Sequence, residues 1–136
     1  MTSEEKRREL AIYRLKQAEE SLDEARFLLS GGKSPRAVIN RAYYTMFYAT
    51  LSLLIFEKYS SSKHIGVISY FNQHFIKTGI FSKELGWAFS RAFDLRQRSD
   101  YKEYVTITYE QAKTIIEEAE RFVDTVKRHL RQKNLI

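Results

Sequence analysis

Apolar residues recur every three or four positions along most of this 136-residue chain, which is the spacing that places side chains on one face of a helix. Two long stripes of this kind predict helices over residues 4–30 and 108–131. The stripes are formed by Ala11, Leu15, Ala18, Leu22, Ala25 and Leu29, and by Ala112, Ile115, Ala119, Phe122, Val126 and Leu130. Residues 35–58 are apolar or aromatic on most faces, which predicts a central helix packed on several sides. Shorter helices are predicted over residues 64–77 and 82–97.

Residues typical of helix ends separate these segments. Ser34 and Pro35 suit the N-cap and first position of the second helix, Gly79 ends the third, and Ser82 suits the N-cap of the fourth. Residues 108–111 have the spacing of a capping box for the last helix. No segment alternates in the manner of a strand. The pattern predicts an all-α fold, an antiparallel four- to five-helix up-and-down bundle.

Length and composition are those of an ordinary globular domain. We predict a single domain over residues 1–136, because the length and the 43% hydrophobic and 29% charged content fit one folded unit. The absence of cysteine excludes disulfides, thiolate catalysis and thiolate zinc sites. With no secretory signal and no membrane-spanning stretch, a cytoplasmic protein without membrane contact is expected.

The positive charge of the chain lies in its middle. Residues 31–104 carry eleven Lys and Arg against five Asp and Glu, whereas the segments before and after are nearly balanced. Such a surplus can attract an anionic partner, a nucleotide or RNA. It is equally found on soluble proteins that simply have a basic surface.

The central helix carries one candidate binding group. Arg41, Tyr44 and Tyr48 share one helix face, with Asn40 adjacent. A buried guanidinium needs a carboxylate or carbonyl partner. Arg41 is therefore either a structural ion-pair residue or a ligand-binding residue.

A second group lies where the fourth predicted helix ends. Arg96 follows Ala92 at i+4 on the apolar stripe, so we expect it to point inward at the mouth of the bundle, near Arg98 and Asp100. The planar guanidinium fork suits a phosphate. Arginines in a last helical turn also interact with the negative end of the helix dipole, which leaves a structural role open.

A third group precedes the third predicted helix. Lys63 and His64 follow three consecutive serines, and a helix N-terminus with hydroxyls and positive charge can bind an anion. N-capping by Ser62 is the alternative explanation. The chain has no Glu-x-x-His motif, no P-loop and no glycine-rich dinucleotide motif, so neither a metal site nor a cofactor is predicted.

Together these residues resemble the HEPN domain family, in its small stand-alone prokaryotic branch. The resemblance covers nearly the whole chain and is carried by residues 40–48, 63–68, 77–79 and 96–101, in that order. It implies an antiparallel helical bundle that is usually a homodimer. HEPN proteins are often encoded beside a minimal nucleotidyltransferase in toxin–antitoxin-like pairs, and many bind nucleotides or RNA.

Active HEPN proteins are similar to metal-independent ribonucleases, whose motif has an Arg followed after four to six residues by a His. By this resemblance Arg96 matches the Arg, whereas Tyr101 stands where the nearest form of the motif has His. A phenol with a pKa of about 10 is a poor general base at neutral pH. Another group would have to move protons, and His64 is the one candidate matched by the resemblance.

Three hypotheses follow. The first is a nucleotide- or RNA-binding module acting with a minimal nucleotidyltransferase. The second is a metal-independent ribonuclease toxin with Arg96 and Tyr101 as catalytic residues and the family His substituted. The third is a non-catalytic dimerisation or interaction module. The candidate nucleotide- or RNA-binding residues are Asn40, Arg41, Tyr44, Lys63, His64, Arg96, Arg98, Asp100 and Tyr101.

Overall fold

A computed structural model describes residues 1–59, 61, 63–100 and 106–136. Those residues form five α-helices and one π-helical turn, and they include no strand. The helices are α1 Ser3–Ser30, α2 Pro35–Leu54, α3 His64–Phe71, α4 Lys83–Asp100 and α5 Tyr109–Gln132. The predicted all-α bundle is therefore confirmed.

The two long helices α1 and α5 lie side by side and run antiparallel. Near the start of α1 the Arg8 guanidinium contacts the carbonyl oxygen of Leu135 at 3.4 Å. Near its end the Tyr109 hydroxyl donates to the carbonyl oxygen of Gly32 at 2.9 Å. Both predicted apolar stripes face the core, since every member is buried except the partly exposed Leu29.

Helix α2 lies at the centre and packs against each of the other four helices. Three of its buried residues are polar, and their hydroxyls donate to carbonyl groups three or four residues earlier in the same helix. These residues are Thr45, Thr50 and Ser52. Because each of these hydroxyls makes a hydrogen bond, its burial in the core does not leave an unsatisfied polar group. The predicted central helix is confirmed.

The observed helix starts agree with those predicted from the sequence. The Leu85 N–H donates to Ser82 Oγ, and residues 108–111 form the predicted capping box. Ser34 occupies the N-cap of α2, but its side chain makes no capping bond. Ser62 lies outside the described residues. None of the helices in the described ranges is both long and apolar enough to cross a bilayer.

Two predicted helix ends are wrong, and one predicted helix changes its type partway along. Helix α2 ends at Leu54, and residues 55–58 continue as turns. The third predicted helix, residues 64–77, is α3 followed by the π-helical turn Asn72–Ile76. Helix α4 continues to Asp100, three residues beyond the prediction, so Arg96 and Asp100 are both helical.

Candidate functional site

The Arg96 guanidinium lies on two tyrosine rings of the central helix. Its central carbon is 5.2 Å from the ring centroid of Tyr43 and 5.1 Å from that of Tyr44. Both distances fall within the range of cation–π attraction. The side chain is 22% exposed, so the arginine points inward, as its place in the α4 stripe predicts, and it still reaches solvent.

Arg96 has one ion-pair partner among the described residues. Its Nε lies 3.5 Å from Oδ2 of Asp100, one turn later on α4. The separation satisfies an ion pair, but the Nε–H makes no directed hydrogen bond to any described residue, and neither does the buried Ser99 hydroxyl. The guanidinium is thus held mainly by aromatic rings. Because its Nε atom is buried, the terminal nitrogens are the donors that an oxyanion would meet.

Arg41 brings a second positive charge to the same aromatic group. Its central carbon is 5.0 Å from the Tyr44 ring centroid, so Tyr44 contacts both guanidinium groups. The Arg41 side chain also lies 3.5 Å from a Glu24 carboxylate oxygen and donates to Asn40 Oδ1 at 3.2 Å. Arg41 is therefore ion-paired, as expected of a structural residue, and it also lines the candidate binding site.

A cavity of about 300 Å³ adjoins Arg41. It is lined by Leu28, Arg36, Ala37, Asn40, Arg41 and Asp100. Its size is at the lower end for small-ligand sites, and two guanidinium groups contribute to its wall. The cavity brings three residues predicted from the sequence together with Arg36, which was not among the predicted site residues.

His64, the first residue of α3, packs against the same central helix. Its imidazole stacks on Phe47 with ring centroids 4.1 Å apart, and its Nδ1 lies 2.7 Å from the Tyr43 hydroxyl oxygen. Tyr43 is fully buried. His64 and Arg96, from different helices, therefore contact one common residue.

Burial and charge set the protonation of this pair. Burial, and then the nearby charge of Arg96, lowers the pKa of His64 below its ordinary value. Burial raises the pKa of Tyr43, although Arg96 acts in the opposite direction. At neutral pH the pair is therefore a neutral imidazole bonded to a neutral phenol.

The depressed pKa of His64 predicts that stability falls in mildly acidic solution. The unfolded chain has histidine pKa values of about 6.5 and binds the proton first, so the free energy of unfolding decreases as the pH falls below that value. His129, whose pKa is lowered by burial and then by Lys133, adds to this trend. We expect urea unfolding at a series of pH values to show the decrease, and His64→Gln to reduce it. If the free energy of unfolding of His64→Gln fell with pH as steeply as that of the wild type, His64 would not be the source of the pH dependence.

The other predicted site residues take different positions. Arg98 pairs with Asp94 at 3.2 Å and is 54% exposed, so it lies apart from the Arg96 cluster. Lys63 is exposed beside His64, and its backbone N–H donates to Ser61 Oγ at 3.1 Å. Tyr101 lies outside the described residues.

Sequence reasoning missed Tyr43 as the residue that joins the site. A signal was present, because a tyrosine on the buried face of a helix needs a partner for its hydroxyl. Arg36 also had a signal, since it lies four residues before Asn40 on the same helix face.

The fold and the site define a helical-bundle domain with an arginine presented on an aromatic surface, and comparison with known proteins identifies its family. A family model described as HEPN domain matches residues 11–129. A UPF0332 protein of Thermotoga maritima is 41% identical over 116 residues, covering 85% of this chain and 87% of that protein. The Methanocaldococcus jannaschii protein named "Putative toxin MJ0605" is 36% identical over 115 residues, covering 85% of this chain and 84% of that protein. The chain belongs to the HEPN domain family.

Proposed function

We propose that this chain is a nucleotide- or RNA-binding HEPN module that acts with a minimal nucleotidyltransferase partner in a toxin–antitoxin-like system. One observation carries the proposal. Arg96 rests on Tyr43 and Tyr44, its one ion pair among the described residues is a 3.5 Å contact with Asp100, and its side chain reaches solvent. A preorganised guanidinium of this kind binds a phosphate without first breaking a tight ion pair.

The surroundings of Arg96 suit a nucleotide better than an isolated phosphate. Tyr44 and Tyr48 are partly exposed, with ring centroids 5.7 Å apart, and such rings can stack against bases. Arg36 and Arg41 line the neighbouring cavity, where a second phosphate would find positive charge. The net positive charge of residues 31–104 would attract RNA to the protein.

The names of two relatives and the exposed apolar side chains support the proposal that this chain binds protein partners. Two relatives carry the word toxin in their names. Several large apolar side chains are exposed, as at protein interfaces, and they include Tyr13, Ile65 and Trp87. We propose a homodimer that also binds a minimal nucleotidyltransferase. Co-purification with such a protein encoded beside its gene would support this, and failure of the co-expressed pair to associate would contradict it.

The binding proposal predicts that Arg96→Ala weakens RNA affinity by about ten- to hundredfold, the range for losing hydrogen bonds to a charged group. Arg98→Ala is the matched control, because it removes the same charge two residues away on the same helix. We expect that control to change affinity by less than about threefold. Fluorescence anisotropy with a labelled single-stranded RNA at fixed salt measures both. Equal losses in the two variants would show binding by general charge alone, and circular dichroism verifies that each variant is folded.

A ribonuclease toxin is the second candidate function. The observation that favours it is the hydrogen bond between His64 and Tyr43, the residue on which Arg96 also rests. An imidazole near a phosphate-binding arginine could move the protons that Tyr101 is poorly suited to move.

A further inference from the structure

We propose that a groove between α1, the end of α2 and α3 binds a single-chain alkyl anion, a molecule with an apolar tail and a negatively charged head. The groove holds about 350 Å³, which is within the range of small-ligand sites. It shares no lining residue with the Arg96 site. The proposal is therefore independent of RNA binding.

The floor of the groove suits an alkyl tail. Its aliphatic residues come from the end of α2 and from α3, and they are Leu51, Leu54, Ile55 and Val67. Each methylene group that leaves water to contact such a surface adds a roughly constant gain in binding free energy. A nucleobase suits this floor less, because the polar edge of the base would lose water against carbon atoms.

Two arginines of α1 line the same groove and suit an anionic head. Arg7 and Arg14 share one face of α1 with Leu10, which also lines the groove and is 44% exposed. No carboxylate of the described residues forms an ion pair with either arginine. Arg14 is half-buried, and its Nη1 donates to the neutral amide of Gln17 at 2.9 Å. A half-buried cation without a counter-ion, beside an apolar floor, is complementary to a carboxylate or phosphate head.

The acidic residue of the groove does not cancel this charge. Among the described lining residues Glu57 is the single acidic one, so two arginines leave a net positive charge. The Glu57 carboxylate accepts a hydrogen bond from the Tyr70 hydroxyl at 2.9 Å. Tyr70 in turn stacks on Tyr59 with ring centroids 4.3 Å apart. Glu57 thus has a neutral donor of its own, and the arginines keep their charge for a ligand.

The depth of the groove favours a narrow molecule over a membrane surface. Leu54 and Val67 on its floor are buried, so a flat surface would meet the exposed side chains of α1 before reaching them. The opposite wall packs closely on α3, since a Cβ atom at Gly66 would come within 2.8 Å of Ser61 Oγ. A single alkyl chain can lie on this floor with its head beside the arginines.

Isothermal titration calorimetry of the full chain with decanoate, below its micelle concentration, tests the tail. We expect one molecule to bind per chain, and decyl phosphate to bind at the same place. Octanoate should bind about tenfold more weakly than decanoate, because it has two methylene groups fewer. In methyl NMR spectra the signals of Leu51 and Val67 should shift on titration. Those of Val126, which lies outside the groove lining, should stay unchanged.

Arginine variants test the head. Arg14→Gln should weaken decanoate binding by about tenfold, because a charge-assisted hydrogen bond is lost. Lys16→Gln is the matched control, since it removes the same charge two residues away on α1 and lies outside the groove lining. We expect this control to change affinity by less than about threefold. Far-ultraviolet circular dichroism shows whether both variants keep the helical fold. Decyltrimethylammonium has the same tail with a cationic head and should not bind.

Several outcomes would overturn the proposal. Equal affinities for decanoate and decyltrimethylammonium would show that the head charge is irrelevant, and equal losses in Arg14→Gln and Lys16→Gln would remove the role of Arg14. Binding of AMP in place of decanoate, with shifts of the same methyl signals, would assign the groove to nucleotides. Binding only to phosphatidylglycerol vesicles would assign the arginines to a membrane surface. Failure of both alkyl anions to bind would leave the groove without this ligand, and none of these results would change the RNA-binding proposal for Arg96.

Discussion

Replacing Phe122 with alanine is expected to lower the free energy of unfolding by about 3–5 kcal/mol. Phe122 on α5 is fully buried, and its ring centroid lies 5.3 Å from those of Phe71 on α3 and Phe89 on α4. Removing the ring leaves a cavity where these helices meet, and the surrounding aromatic rings cannot all move in to fill it. Urea unfolding followed by circular dichroism measures the change.

The matched control is Phe27→Ala, which deletes the same side chain on the outer face of α1. Phe27 is 76% exposed, so the expected change is within about 0.5 kcal/mol. A similar loss in both variants would show that burial in the aromatic core does not determine the effect, and would contradict the packing described for α5.

The helices and their buried faces were predictable because helical periodicity is a local property of the sequence. Ala18, Leu22 and Ala25 on α1 repeat with the spacing of one helix face, and whatever packs on that face buries them all. The same holds for Ala119 and Phe122 on α5. Such a stripe can be recognised in the sequence without knowing which helix packs against it.

The end of α2 and the change from α3 to a π-helical turn were not predictable, because they depend on tertiary contacts. Ile55 and Phe56 continue the apolar pattern of α2, yet they pack as turn residues. The π-helical turn after α3 lies against Gly86 of α4, where a Cβ atom would come within 3.0 Å of Ile76 Cγ1. Close packing at that glycine involves two segments and leaves no periodic signal in either.

Some features of the candidate site could likewise be predicted from the sequence, and others could not. The inward direction of Arg96 follows from its place in the α4 stripe, whereas the bond between Tyr43 and His64 joins residues 21 positions apart and requires α3 to pack on α2. Arg98 was grouped with Arg96 because the two are close in sequence. A helix turns neighbours to different faces, and the i,i+4 spacing from Asp94 to Arg98 was the local sign of an outward ion pair.

Tyr43→Ala is expected to remove stability and RNA binding together, because one ring supports both. The loss of a fully buried ring packed on Phe89 should cost about 3–5 kcal/mol, the range for deleting a buried aromatic side chain. The folded fraction should also bind RNA as weakly as Arg96→Ala, since the guanidinium loses the surface that holds it. Urea unfolding and fluorescence anisotropy measure the two effects.

Tyr43→Phe separates the ring from its hydroxyl. It keeps the surface beneath Arg96 and deletes only the hydrogen bond to His64, so it should cost about 0.5–1.5 kcal/mol and leave RNA affinity near that of the wild type. If Tyr43→Phe instead weakened RNA binding as much as Tyr43→Ala, the hydroxyl and its bond to His64 would be what positions Arg96. The arginine would then depend on α3 for its orientation, and the aromatic surface of α2 would be insufficient to hold a phosphate-binding guanidinium.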